Sequence, residues 1–172
     1  MKVRLISVSH KLPSWVDEGY QAYIQRFDQS ISFSTEQIAP VTRNKSERER
    51  KKNLYQVDSS ETPSEMKKQK QEEGKKILEK ISPQDYVIAL DASGTLYDSV
   101  QLSQQLSKWL QSGQNLAFLI GGPDGLDDSC LKRANQRWSL SPLTFPHTLM
   151  KILLAEQMYR AWSILKQHPY HR

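Results

Sequence analysis

The residues best placed to do chemistry fall at two points in the chain. The first is Gly121-Gly122-Pro123-Asp124-Gly125, which follows directly on the apolar run Leu116-Ala117-Phe118-Leu119-Ile120. Three of the chain's seven glycines lie in these five positions, so the stretch asks for backbone freedom rather than side chains. A glycine loop at the carboxyl end of a buried strand lets a ligand approach main-chain N–H groups closely. The same pattern also serves as a plain tight turn between two elements. The second point is the C-terminus, His168-Pro169-Tyr170-His171-Arg172. It combines a rigid proline, an aromatic ring suited to base stacking, an imidazole titrating near neutrality and a phosphate-seeking arginine. Terminal residues ordinarily fray, but this composition makes them candidates for a functional tail.

Other stretches are weighed against these two. Leu90-Asp91-Ala92-Ser93-Gly94-Thr95-Leu96 nearly matches the D-x-D-G-T motif of haloacid-dehalogenase-like phosphatases. Asp124, Asp127 and Asp128 could pass for the later magnesium ligands of that class. Its chemistry needs a second aspartate as acid/base, and Ser93 stands there instead. No G-x-x-x-x-G-K-[ST] phosphate loop and no G-x-G-x-x-G dinucleotide fingerprint occurs. Ser139 and Ser141 lack a G-x-S-x-G elbow. His147 stands alone at a helix start, which makes no metal site, and no metal is expected.

Bulk properties narrow the partner. The chain of 172 residues is long enough for one domain with a core, and 37% hydrophobic with 25% charged residues is a globular balance. Mean hydropathy of -0.67 lies on the polar side. Net charge of +5 and a pI near 9.3 favour an anionic partner, nucleic acid ahead of a membrane surface. Cys130 is the single cysteine, which excludes an intrachain disulfide and a cysteine zinc cluster. The N-terminus leads straight into a strand pattern without a signal-peptide core, and no uncharged apolar run is long enough to span a bilayer. A cytoplasmic location is expected.

The elements that must position these residues alternate between two periods. Val3, Leu5, Ile6 and Val8 predict a first strand. Ser14 is placed to N-cap a helix whose apolar face is Val16, Tyr20, Tyr23, Ile24 and Phe27. Ile31, Phe33 and Thr35 alternate as a second strand. Residues from about 42 to 62 show no apolar face, and Arg43 to Lys52 alone holds six basic and two acidic side chains, so a mobile, solvated loop or phosphate-contacting arm is expected. Thr62-Pro63-Ser64-Glu65 is a capping box, opening a polar helix that runs to about Ile81. Tyr86 to Leu90 reads as a buried strand, and Leu102, Leu106, Trp109 and Leu110 as a helix stripe closed by Ser112-Gly113. After the glycine loop comes a short helix bearing Lys132, Arg133 and Arg137. Trp138 to Pro146 reads as irregular, and a long, widely apolar helix runs from about His147 to Gln167. Strands alternating with helices predict a single α/β domain over 1–172 with a mostly parallel sheet.

Taken together, the chain resembles the RlmH family, the pseudouridine N3-methyltransferases of the SPOUT (α/β-knot) class. The matching stretches are Lys11 to Val16, Leu119 to Leu126, Trp138 to Ser141, Leu143 to His147, Glu156 to Trp162 and His168 to Arg172. The resemblance spans nearly the whole chain, and residues 42 to 62 look expanded against it. It implies S-adenosylmethionine as methyl donor, a deep C-terminal trefoil knot and an obligate homodimer. It further implies a pseudouridine of 23S ribosomal RNA as substrate, in the assembled 70S ribosome. Carried over by position, the cofactor pocket would comprise Leu90, Gly121, Leu140, Ser141, Pro142, Leu143, Thr144 and Phe145, with Gly122 and His147 close by. At Gly121 a Cβ is expected to push the cofactor away from the main chain. Tyr170, His171 and Arg172 would be the catalytic residues, placing a base and anchoring phosphate, across the dimer interface. The alternatives are the magnesium-dependent phosphatase and a non-catalytic basic RNA-binding domain.

Overall fold

The computed structural model describes residues 1–41 and 62–171. The segment expected to be a basic loop, Thr62 apart, and Arg172 lie outside the described residues. The strands are β1 (Lys2–Val8), β2 (Ser32–Ile38), β3 (Tyr86–Leu96), β4 (Leu116–Ile120) and β5 (Gln136–Ser139). They form one sheet in the order β2-β1-β4-β3-β5, with every neighbouring pair parallel. The helices are α1 (Ser14–Ile24), α2 (Pro63–Glu79), α3 (Ser99–Ser112), α4 (Asp128–Arg133) and α5 (His147–Leu165). A 3-10 turn, Pro169–His171, closes the described chain. This is the α/β domain with a parallel sheet that the alternating periods predict.

Strand alternation divides the core in two. Val3, Leu5, Ile88, Phe118 and Ile120 point to one face, where they meet Tyr20 of α1, Leu102 and Leu106 of α3, and Leu154 and Met158 of α5. Ile6, Val8, Val87 and Leu119 point to the other, where they meet Ile77 of α2 and Cys130 of α4. Steps toward the β2 edge, β1 to β2 and β3 to β4, therefore cross on the first face. Steps toward the β5 edge, β2 to β3 and β4 to β5, cross on the second. A single crossover handedness requires this division. Helix α5 comes last and lies over α1 and α3. β4, covered on both faces, is buried at all five positions, which is why its sequence is a continuous apolar run.

Local sequence signals account for some element boundaries and not for others. Thr62 caps α2 through the full reciprocal box with Glu65, and Gly113 ends α3 at φ 68°, as the sequence indicates. Ser14 is not a cap: it is the first helical residue, and Pro13 takes the cap position with its carbonyl receiving the Val16 N–H at 3.0 Å. Arg137, expected on the short helix, lies instead in β5, because that helix ends at Arg133. The stretch expected to be irregular from Trp138 also begins inside β5, a short edge strand whose other members are polar. What fixes β5 is Trp138, 2% exposed and packed against Phe118 and Tyr97.

β3 extends past Leu90 to Leu96, and Trp138 is the partner of both Leu90 and Thr95, so residues 91–94 bulge out of the ladder. A bulge of this kind re-aims side chains near the end of a sheet. Gly94 allows it, because a Cβ there would lie 2.6 Å from the Trp138 nitrogen and 2.7 Å from the Arg137 carbonyl carbon. Both obstacles are backbone and cannot rotate away. Gly94→Ala is expected to lower stability by about 1–3 kcal/mol, the cost of overpacking, read as an earlier midpoint in urea unfolding.

Candidate active site

The connection into β4 crosses one face of the sheet and the connection out of it crosses the other. In parallel sheets such a reversal leaves a crevice beyond the strand ends. Here it holds a cavity of about 290 Å³. β3 contributes Leu90, Asp91 and Ala92; β4 and its loop contribute Ile120 to Pro123 and Gly125. Trp138 to Ser141 and Leu143 to Phe145 form the opposite wall, with His147 and Met150 of α5 behind. The structure thus brings Leu90, Gly121, Gly122, Leu140, Ser141, Leu143, Thr144 and Phe145 to one cavity. Pro142 is exposed and does not line it.

The glycine loop is a turn of fixed shape. The Gly125 N–H donates to the Gly122 carbonyl at 3.0 Å, with Pro123 and Asp124 at the two corners, where a type I turn favours proline first. Gly125 has φ 79° with open space around its missing side chain, so conformation alone calls for glycine there. Gly121 is glycine for a different reason. A Cβ at Gly121 would lie 2.4 Å from the Gly125 carbonyl carbon and 2.6 Å from its oxygen and from the Leu126 nitrogen. The space a side chain would need is taken by the loop's own backbone, which corrects the expectation that a bound cofactor takes it. Below the loop, Glu73 of α2 comes within 3.2 Å of the Cβ position of Gly122 and accepts the Val41 N–H at 3.0 Å. Burial, with the Asp124 charge adding, raises the Glu73 carboxyl above its ordinary pKa.

The facing wall is tied by serines. Ser139 Oγ donates to the Ser141 carbonyl, and Ser141 Oγ accepts the Leu143 N–H, both at 3.0 Å. Leu143 is 71% exposed at the rim. Asp91 accepts from both the N–H and the hydroxyl of Ser93, so Ser93 closes a side-chain turn rather than doing acid–base work. Asp127 is likewise engaged, capping α4 through the Ser129 N–H at 2.9 Å. Among the described residues no group of three or more His, Cys, Asp or Glu could hold a metal. No helix among them is long and apolar enough to cross a membrane.

The tail lies elsewhere. Tyr170 donates its hydroxyl to Glu156 Oε1 at 3.1 Å, the same oxygen that accepts Arg160 Nε at 3.0 Å and Nη2 at 2.7 Å. Its ring packs on Tyr159 with centroids 4.8 Å apart, and the Arg160 and Arg26 guanidiniums lie 5.2 and 6.0 Å from its centre. Glu156 is nine residues along α5 from His147, so the tail is docked roughly 13 Å down the helix from the cavity of its own chain. The structure does not bring Tyr170 to that cavity. His171 ends the 3-10 turn, and Arg172 lies outside the described residues. Sequence reasoning missed Arg26, Glu156 and Arg160 as the holders of the tail. The only signal for them was the i,i+4 spacing of Glu156 and Arg160. His147 and Met150 enter the cavity because both face back from the first turn of α5.

Comparison with known proteins agrees with this architecture. The family model described as "Predicted SPOUT methyltransferase" matches residues 1–171. Ribosomal RNA large subunit methyltransferase H of Hahella chejuensis is 46% identical over 100% of this chain and 99% of its own. The protein of that name from Alkalilimnicola ehrlichii is 44% identical with the same coverage. The structure of a probable methylase family protein from Haemophilus influenzae Rd KW20 has a similar fold, with a TM-score of 0.50 at 13% identity over 99% of this chain and 70% of that one. Fold, site and family model together define a methyltransferase of the SPOUT class. Within that class, full-length identity is decisive: the chain belongs to the ribosomal RNA large subunit methyltransferase H family.

Two outcomes follow from the geometry. Gly121→Ala should open the turn and lower Tm by more than Gly125→Ala, for which the left-handed strain of roughly 1–2 kcal/mol corresponds to about 2–8 °C in a chain of this size. Burial, then the Tyr23 and Glu156 contacts, pushes the Tyr170 phenol up to about 12 from 10.0. A raised folded-state pKa gives stability that is present below the unfolded value and lost as pH rises through the folded one. Wild-type stability relative to Tyr170→Phe should therefore fall between about pH 10 and 12, in urea unfolding followed across that range.

Proposed function

We propose that the chain transfers a methyl group from S-adenosylmethionine to N3 of a pseudouridine in 23S ribosomal RNA. It would work in the cytoplasm as a homodimer on the assembled 70S ribosome. The observation that carries this reading is the cavity at the glycine loop of a chain whose full-length relatives bear the name ribosomal RNA large subunit methyltransferase H. The cavity suits this donor chemically. Leu90, Leu140, Leu143 and Phe145 offer apolar surface to a purine ring, and the loops offer main-chain polar groups to its edge. No phosphate-binding motif surrounds the site, and the donor carries no phosphate. The net charge of +5 suits an RNA partner.

When bound, S-adenosylmethionine supplies a methyl group made electrophilic by its sulfonium. The chain's own residues then have two tasks. The glycine turn and the serine-tied 139–145 wall hold the donor in line with the accepting nitrogen, which is mostly work of positioning. The N3 proton must also leave as the methyl arrives, and His171 is the candidate to take it, with Tyr170 and Arg172 placing the tail and anchoring phosphate. Because the tail is docked far along α5 from its own cavity, a second copy is the natural source of these groups. Trp15 and Leu149, 49% and 37% exposed at the starts of α1 and α5, give that copy an apolar surface. The trefoil knot belongs to the same reading: the 140–145 wall and the glycine loop share one cavity from which α5 departs.

Single-turnover methylation of 70S ribosomes, followed by nucleoside digestion and mass spectrometry, tests the proposal. The expected product is N3-methylpseudouridine. His171→Ala should slow its formation by about 10²-fold over roughly pH 6 to 9, the scale of general-base catalysis. An unchanged rate would remove that role, and RNA binding without donor binding would favour the non-catalytic alternative.

A further inference from the structure

Among the described residues lining the cavity, Asp91 is the only carboxylate and His147 the only other titratable side chain. The rest of the wall is apolar or neutral. Asp91 is half-buried, and no salt bridge involving it occurs among the described residues. The side chain is nevertheless held in place. Oδ1 accepts the Ser93 N–H at 2.9 Å and the Ser93 hydroxyl, while Oδ2 accepts no hydrogen bond from the described residues. The residue stands where β3 leaves its regular pairing, at the start of the bulge that Gly94 permits against Trp138. Bulge, turn and cavity together present one carboxylate oxygen in a wall whose other described side chains, His147 apart, are apolar or neutral.

We infer that Asp91 is the counter-ion for the net positive charge of the methyl donor and so discriminates the donor from its spent product. This rests on the methyl-donor reading given above. The donor's amino and carboxyl groups lie on one carbon and compensate each other, so its net charge of +1 is the sulfonium. A sulfonium neither donates nor accepts hydrogen bonds, and charge is the feature by which a site can recognise it. Methyl transfer removes that charge: the sulfur recovers an electron pair and becomes a neutral thioether. A carboxylate facing it thus holds the donor more firmly than the product and favours product release after each turnover. Electrostatic recognition of this kind is stronger beside apolar walls than in open water.

Asp91→Asn tests this cleanly, because asparagine keeps a side-chain oxygen for the Ser93 turn and removes only the charge. Calorimetry would compare three ligands on the full-length protein: S-adenosylmethionine, S-adenosylhomocysteine, and sinefungin, which carries a protonated amine near the sulfonium position. The variant should weaken the donor and sinefungin by about tenfold or more while S-adenosylhomocysteine stays within about twofold, a difference of about 1 kcal/mol or more between the two classes. Equal weakening of all three would overturn the inference and assign Asp91 to a group that donor and product share. No change for any ligand would overturn it as well. If the wild-type protein bound none of the three, the methyl-donor reading itself would fall and this inference with it. Unchanged thermal unfolding of Asp91→Asn separates lost charge from lost fold.

Discussion

The site depends on one close approach. At the end of β4 the chain folds back so tightly that the Gly125 carbonyl and the Leu126 nitrogen occupy the place where Gly121 would carry a side chain. That contact fixes the end of the central strand and the direction in which the chain leaves it. Everything that forms the cavity is arranged around it. β4 is anchored on both sides by β1 and β3 and buried on both faces, so the turn starts from a rigid support. Leu126, 3% exposed, then carries the chain into α4 on the far face. A binding wall built from backbone on a rigid strand can hold its shape more exactly than one built from mobile side chains.

The second wall has the same logic with different means. Ser139 and Ser141 tie the loop to itself, and Trp138 anchors its root in the core beneath. Trp138 also links this wall to the third one, because it pairs with β3 on both sides of the 91–94 bulge. One tryptophan therefore sets the distance between Asp91 and the 139–145 segment. The mechanism asks this framework to hold a small molecule in line with an incoming base. The groups that would act on the base itself reside on a tail held by Arg26, Glu156, Tyr159 and Arg160. On the proposed reading, scaffold and chemistry would be separated along α5.

Much of this was legible in the sequence, and where it was not the reasons are physical. β4 announced itself because burial on two faces demands an unbroken apolar run, and α2 because Thr62, Pro63 and Glu65 satisfy a rule of local geometry. The glycine loop was legible as a tight turn at the end of a buried strand, yet the reason for Gly121 was not. Glycine spacing shows that a backbone is crowded, not what crowds it. β5 was not legible because an edge strand of four residues has too few apolar positions to show a period of two. Pro142 was carried into the pocket by position in a resemblance, whereas the structure turns it outward between two lining neighbours. Asp91 was set aside with the phosphatase motif, since a motif search asks whether a known partner is present and not what a lone charge would face. The docking of Tyr170 depends on Arg26, far away in sequence, and no local pattern could reveal it.

The central claim is that the glycine turn and the serine-tied wall hold the methyl donor. Hydrogen–deuterium exchange on the full-length protein, with and without saturating S-adenosylmethionine, tests it most directly. The account predicts slower exchange in 116–126 and 138–146, with 165–171 unaffected while RNA is absent. Donor binding accompanied by protection elsewhere, with these two segments unchanged, would contradict it.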